Sequence, residues 1–342
     1  GLAPGGVWSP GGNLGTPRFS PGLTGTQTAA LAFGGADPSA TATTDEYDGT
    51  VWTAAPSNMI IARYAMGSLG TQTAALAFGG LTGVSSTTGT TATEEYNSGT
   101  WSAAPSNLSN ARYAMGSFGT QTAALATTGR GPSGVFVTTT EEYTSGVWSP
   151  GANLTVDRAN TSGAGTQTAG LVFAGQDPVN TNATEEYNGA VWSPGGNINT
   201  PRFNLAGAGT QTAALAFGGR NPTVLSATEE YNSGTWSAAP ANMIIARSNL
   251  GGSGTQTAAL AAGGIAAAIT NATEEWNATP IGPTTTGGAW SSGGPLGTPR
   301  GALAGAGTPA AALAFGGFTP ITTDATEEYS GGTWTPASIM NT

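Results

Sequence analysis

Adjacent carboxylates recur along the chain at Asp45-Glu46, Glu94-Glu95, Glu141-Glu142, Glu185-Glu186, Glu229-Glu230, Glu274-Glu275 and Glu327-Glu328. Two carboxylates can share acid and base duties, as in glycoside hydrolysis, when they flank one bond. Neighbouring residues of a strand point to opposite faces, so such a pair cannot do this. Seven copies also fit poorly with a single active site. Arginines keep step with the acids: Arg18, Arg63, Arg112, Arg158, Arg202, Arg247 and Arg300 hold one equivalent position. A charge stranded between packed sheets costs several kcal/mol, so one arginine and one inward-facing acid per copy are expected to pair. The second acid of each pair is then left partly solvated. The competing reading, a ring of arginines that traps an anion at a channel mouth, ranks well below this structural one.

Other chemistries are excluded by composition. The chain has no cysteine and no histidine, so disulfides, thiolate nucleophiles, imidazole bases and imidazole metal sites are absent. No cofactor and no metal site is expected. Asp-Pro occurs in two loops without the spaced carboxylates of a calcium cage. Charged residues are 8% of the 342, and 9 basic residues, all arginine, against 19 acids leave a net charge of −10. An acidic, lysine-free surface is a poor partner for nucleic acid or anionic membrane. No apolar run approaches the roughly 18 residues of a membrane span, and no signal-peptide pattern opens the chain. Residue 1 is glycine, which suggests a processed chain or a piece of a longer one.

The elements that carry these residues repeat. The phrase GTQTAALAFGG or a close variant begins at Gly25, Gly70, Gly119, Gly165, Gly209, Gly254 and Gly307, at intervals of 45, 49, 46, 44, 45 and 53 residues. Such a period marks a repeat architecture. Within it Leu76 and Phe78 alternate with Ala75 and Ala77, the pattern of a strand with large residues on one face and alanine on the other. Gly79-Gly80 ends that strand. Asp48-Gly49, Asn97-Ser98-Gly99 and their equivalents then predict hairpins joining a Glu-Glu-Tyr strand to a Trp strand. Tyr and Trp five residues apart could stack on a sugar, but their presence in every repeat favours packing between sheets. Four short strands per repeat is the size of one propeller blade.

A hydrophobic strand ending in Gly-Gly, then a Tyr, then a Trp a few residues on, resembles the kelch repeat over essentially the whole chain. The wording EEYN–W–N–R–GTQTAALAFGG is similar to the kelch-like repeats of marine bacteriophage, particularly cyanophage, virion proteins. The resemblance implies an all-β, seven-bladed kelch-like β-propeller of four-stranded antiparallel blades, spanning 18–342 with repeats starting near 18, 63, 112, 158, 202, 247 and 300. Residues 1–17 form an N-terminal segment with an extra outer-strand-like motif at Trp8, expected to dock outside the ring. Repeat six departs from the pattern, with Trp276 at the Tyr position and a Pro/Gly/Thr-rich insertion before Trp290. Repeats three and four lose the Gly-Gly signature at Thr128-Gly129 and Ala174-Gly175, so their strand ends are expected to differ.

The loop between the Gly-Gly strand and the acidic strand has nine residues in five repeats, thirteen in the second and eleven in the third, and its sequence differs in every copy. Alternating strands put these loops on one face with the long Trp-to-Arg connections. Asp37, Arg130, Phe136, Asp177, Arg220 and Phe318 fall there and are the candidate ligand-binding residues. No catalytic residue is expected. The expected function is a non-enzymatic structural or receptor-binding module of a virion or extracellular assembly. Its expected partners are other assembly proteins and host-surface glycans, held by the long-loop face. A carbohydrate-active enzyme and a cellular protein–protein adaptor are the weaker alternatives. The kelch-type copper oxidases implied by the resemblance need the His and Cys that this chain lacks.

Overall fold

The structure, a computed structural model, describes residues 6–83 and 89–278, together with the strands of the seventh repeat. Each repeat folds as period-two alternation requires. In the second, strands Gly67–Gly70, Ala74–Phe78, Thr93–Asn97 and Thr100–Ala103 run antiparallel from the inside of the molecule outward. Register sets Ala75 opposite Tyr96 and Tyr96 opposite Trp101. Leu76 and Phe78 are fully buried on one face, Ala75 and Ala77 on the other. The large face of one blade meets the alanine face of the next: Leu31 and Phe33 pack on Ala75 and Ala77, and Leu76 and Phe78 on Ala124 and Ala126. Each such Leu or Phe contributes roughly 1.5–3 kcal/mol of burial.

The ring has six blades, which corrects the seven read from the repeat count. Five blades take all four strands from one repeat, blade four with a short hairpin of Gln176–Asp177 and Val179–Asn180 between its second and third. The sixth takes Gly251–Gly254, Ala258–Ala262 and Thr273–Asn277 from repeat six and its outermost strand, Val7–Pro10, from the start of the chain. The physical reason is local. The insertion in repeat six moves Trp290 out of hairpin reach of Thr273–Asn277 in the sequence, leaving that edge open. Residues 7–13 carry the same VWSPGGN as the outer strand of blade four at 191–197. Trp8 lies opposite Trp276 and packs on Trp276 and Phe217 at centroid distances of 5.7 and 5.1 Å. The Trp8 strand is thus part of the ring and not docked outside it. Leu260 and Ala262 then meet Ala30 and Ala32 of blade one, the same face-to-face arrangement as Leu31 and Phe33 on Ala75 and Ala77.

Repeat seven forms its own four-stranded sheet, Ala304–Thr308, Ala311–Phe315, Thr326–Ser330 and Thr333–Ala337, with a small hairpin of Phe318–Thr319 and Ile321–Thr322. It belongs to a second compact unit, 282–342, separate from 1–281.

Strand ends in repeats three and four do not differ from the rest. Thr128 and Ala174 adopt φ of 60° and 59°, matching 63° at Gly79. At Gly79 itself an added Cβ would lie 2.5 Å from the Met115 methyl and 2.6 Å from the Arg112 carbonyl oxygen, so glycine is required there.

Candidate functional site

Six of the seven repeated arginines are described, and all six are buried against an acid of their own blade: Arg18 with Asp45, Arg63 with Glu94, Arg112 with Glu141, Arg158 with Glu185, Arg202 with Glu229 and Arg247 with Glu274. Arg300 lies outside the described residues. Arg63 shows what the pairing holds. Its guanidinium donates to Glu94 Oε1 at 2.8 Å and to the carbonyl oxygens of Ala92, Gly79 and Ala77 at 2.6, 3.2 and 3.2 Å. Glu94 in turn accepts the backbone N–H groups of Ile60 and Ile61 at 2.6 and 3.3 Å. The pair therefore ties the long outer connection to the middle strands. Burial pulls the Arg63 pKa down to about 10 against the opposing pull of Glu94. These charges are consumed inside the blades.

Within the ring the second acid of five of the six pairs works between blades. Tyr96 donates its hydroxyl to Glu46, Tyr143 to Glu95 and Tyr187 to Glu142, each at 2.6 Å, and Tyr231 donates to Glu186. Tyr47 donates to Glu275 at 2.6 Å and closes the circuit from blade six to blade one. Glu230 is the exception, because its partner position is Trp276. The indole of that residue donates to the Gln256 carbonyl instead. Desolvation raises the Glu230 pKa. The Gln of the GTQT turn is a second latch: Gln72 Nε2 reaches the carbonyls of Ala30 and Tyr47 in the preceding blade at 3.1 and 2.7 Å.

On the long-loop face the inner strands begin at a ring of backbone hydrogen bonds. Ala65 N–H donates to Ser20, Ala114 to Ala65, Asn160 to Ala114, Asn204 to Asn160, Asn249 to Asn204 and Ser20 to Asn249, at 2.6–3.1 Å. All six residues hold positive φ, between 48° and 56°. This ring surrounds a cavity of about 280 Å³ at the mouth of the central channel. A second cavity of about 130 Å³ opens on the tight-turn face and shares Leu23, Ser68, Ser117, Gly163 and Gly252 with the first. Between the two, Ser68 N–H donates to Ser117 Oγ at 3.2 Å.

The loop residues singled out in the sequence do not converge on one cluster. Arg130 lies over the Phe136 ring at 4.2 Å and donates to the Gly134 carbonyl. Arg220 is exposed, donates to the Pro222 carbonyl and lies 5.7 Å from the Phe203 ring. Asp177 is half-buried in blade four and hydrogen-bonded to Asp157; desolvation first, then that carboxyl, raises its pKa. Asp37 is exposed at the tip of the blade-one loop. Phe318 lies in the hairpin of the separate second unit, with its backbone opposite Thr322. Of these candidates, Arg130 and Phe136 are the pair that touch.

Sequence reasoning missed the rim itself. The two residues after each ring arginine are Phe19-Ser20, Tyr64-Ala65, Tyr113-Ala114, Ala159-Asn160, Phe203-Asn204 and Ser248-Asn249. Their drift from aromatic-small to asparagine-bearing around the ring was the available signal. Among the described residues no group of three or more acidic, His or Cys side chains could hold a metal, and no helix is long and apolar enough to cross a membrane. The blades are consistent with a kelch-like propeller, a scaffold that suits protein binding. No protein-family model and no curated protein matches this chain, so the propeller assignment stands on the blades alone.

Proposed function

We propose that the protein is a non-enzymatic recognition or structural module of a virion or extracellular assembly, and that its long-loop face holds another assembly protein or a host-surface glycan. One observation carries the reading. The parts that vary most from blade to blade, the loops and the rim residues, share one face, while the framework beneath them is repeated almost unchanged and pinned by buried ion pairs. Rigid scaffolds with variable loops on one face are the usual geometry of binding proteins. The buried charged side chains that could have served chemistry are committed to that framework. The wording shared with phage virion repeats supports the assembly context.

The test is a glycan-array screen of the purified chain beside a variant in which the tips of the loops at 37–40, 82–91, 131–139, 177–181, 221–225 and 266–269 carry one common sequence. Both proteins must first show the same unfolding midpoint. Saturable binding that disappears with the loops supports recognition by this face. Binding of an extended glycan that the exchange leaves at full strength overturns the role of the loops. Silence from the folded wild type removes the glycan arm and leaves contact with an assembly protein, tested by cross-linking.

A further inference from the structure

The rim of the central cavity is divided into two unlike halves. Blades one to three present Phe19, Tyr64 and Tyr113, and blades four to six present Asn160, Asn204 and Asn249. Among the described residues no charged side chain lines the cavity. The asparagines are not dictated by the backbone. Ser20, Ala65 and Ala114 hold the same left-handed conformation at φ of 48°, 51° and 53° in the other half of the ring. Asn249 is engaged, its amide donating to Ser20 Oγ at 3.1 Å and accepting from Ser248 Oγ at 3.2 Å, but the other two are not used up by the fold. The side-chain amides of Asn160 and Asn204, like the hydroxyls of Tyr64 and Tyr113, make no intramolecular hydrogen bond, although all four residues are at least half-buried.

We infer that the channel mouth is a subsite for one neutral sugar residue, seated with its C–H face on the aromatic half and its hydroxyl edge toward the asparagines. The inference rests on the reading of this face as a recognition surface and names the ligand class. An aromatic face is electron-rich and apolar, which suits the polarised C–H groups of a pyranose. An amide offers two donors and an acceptor, which suits hydroxyls that both give and take hydrogen bonds. An uncharged lining would desolvate an ionic group with nothing to compensate it, so acidic sugars are rejected. The cavity of about 280 Å³ lies near the lower end of small-ligand sites and limits the occupant to a single ring. Loops around the mouth would contact whatever the sugar is attached to.

The experiment titrates the full chain with methyl glycosides of neutral hexoses and of glucuronic and sialic acids, read by saturation-transfer NMR. Three proteins are compared: wild type, the common-loop variant, and Asn160→Ala/Asn204→Ala. The double substitution places alanine where Ala65 and Ala114 already occupy the equivalent backbone, so folding is retained and is checked by the unfolding midpoint. The expected result is binding of a neutral glycoside by wild type and by the common-loop variant. The double variant should bind about tenfold or more weakly, which is about 1.4 kcal/mol. The acidic glycosides should give no signal. The inference is overturned if no neutral glycoside binds, if the acidic ones bind as well, or if the asparagine substitutions change nothing. It is also overturned if the substitutions disrupt only a protein contact. The loop-face reading fails separately, if recognition of larger partners is indifferent to the loop exchange.

Discussion

The hydroxyl of Tyr47 donates to Glu275 across 2.6 Å, joining residues 228 apart in sequence. It is the blade-six-to-blade-one version of a contact made between four other pairs of blades. Tyr47 is fully buried, and its hydroxyl titrates well above the ordinary tyrosine range, first through desolvation and then through the carboxylate it faces. Tyr47→Phe leaves the packing intact and strips Glu275 of its donor. A hydrogen bond to a charged group is worth about 1.5–3 kcal/mol, and denaturant unfolding of the variant should show a loss in that range. A change below about 0.5 kcal/mol would mean that the carboxylate finds water at no cost.

Arg63 and Glu94 should behave as a coupled pair. Removing one partner of a buried ion pair costs about 3–5 kcal/mol, because the other charge is left uncompensated. Arg63→Met and Glu94→Gln are therefore each expected to destabilise strongly, and the double variant to lose less than their sum. Additive losses in chemical denaturation would contradict the coupling.

Trp8 is the anchor of the closing strand. It is 7% exposed, and its indole donates to Thr228 at 3.0 Å, as Trp101 does to Thr44 and Trp148 to Thr93. Trp8→Ala should cost about 3–5 kcal/mol. Deleting 1–10 would expose the edge of Thr273–Asn277, and light scattering should report self-association. Deleting 282–342, by contrast, leaves all six blades complete, and cooperative unfolding should persist.

Glu230 supplies a pH signature. Its folded-state pKa is raised by desolvation, with no tyrosine hydroxyl to offset it. The folded chain therefore holds that proton more tightly than the unfolded chain. The associated stability is present at low pH and is lost as pH rises from the unfolded value through the folded one. Glu230→Gln should remove this dependence and be neutral or stabilising above that window, whereas Glu186→Gln should destabilise. Parallel pH–stability curves for wild type and Glu230→Gln would refute the assignment.

The blade was legible because its determinants are local. Leu76, Phe78, Ala75 and Ala77 reveal two faces by alternation alone, and Asp48-Gly49 marks a hairpin without reference to anything distant. Blade number was not legible from the count of repeats, since it depends on how many interfaces fit around an axis. Two residues did carry the information. Pro309 stands where every other repeat has the glutamine that latches onto a neighbouring blade. Trp276 replaces a tyrosine at the one blade whose outer strand arrives from elsewhere, and its ring fills the space that a side chain on Gly6 would need. Both make sense only after the partner is known. The rim was missed for a similar reason: Tyr64 and Asn204 are 140 residues apart, and only ring closure brings them to one cavity.

The six hydrogen bonds that run from Ser20 through Asn249 and back have no first or last member. A linear ladder can always accept another rung, but a closed cycle cannot admit a member without first being broken. Duplication can therefore lengthen this chain without widening its channel. Once the cycle is complete, an additional copy of the repeat has no place in it and folds as a sheet of its own, as repeat seven does. The calibre of the mouth, and with it the size of anything that enters, is set by this count and is insulated from change elsewhere in the sequence.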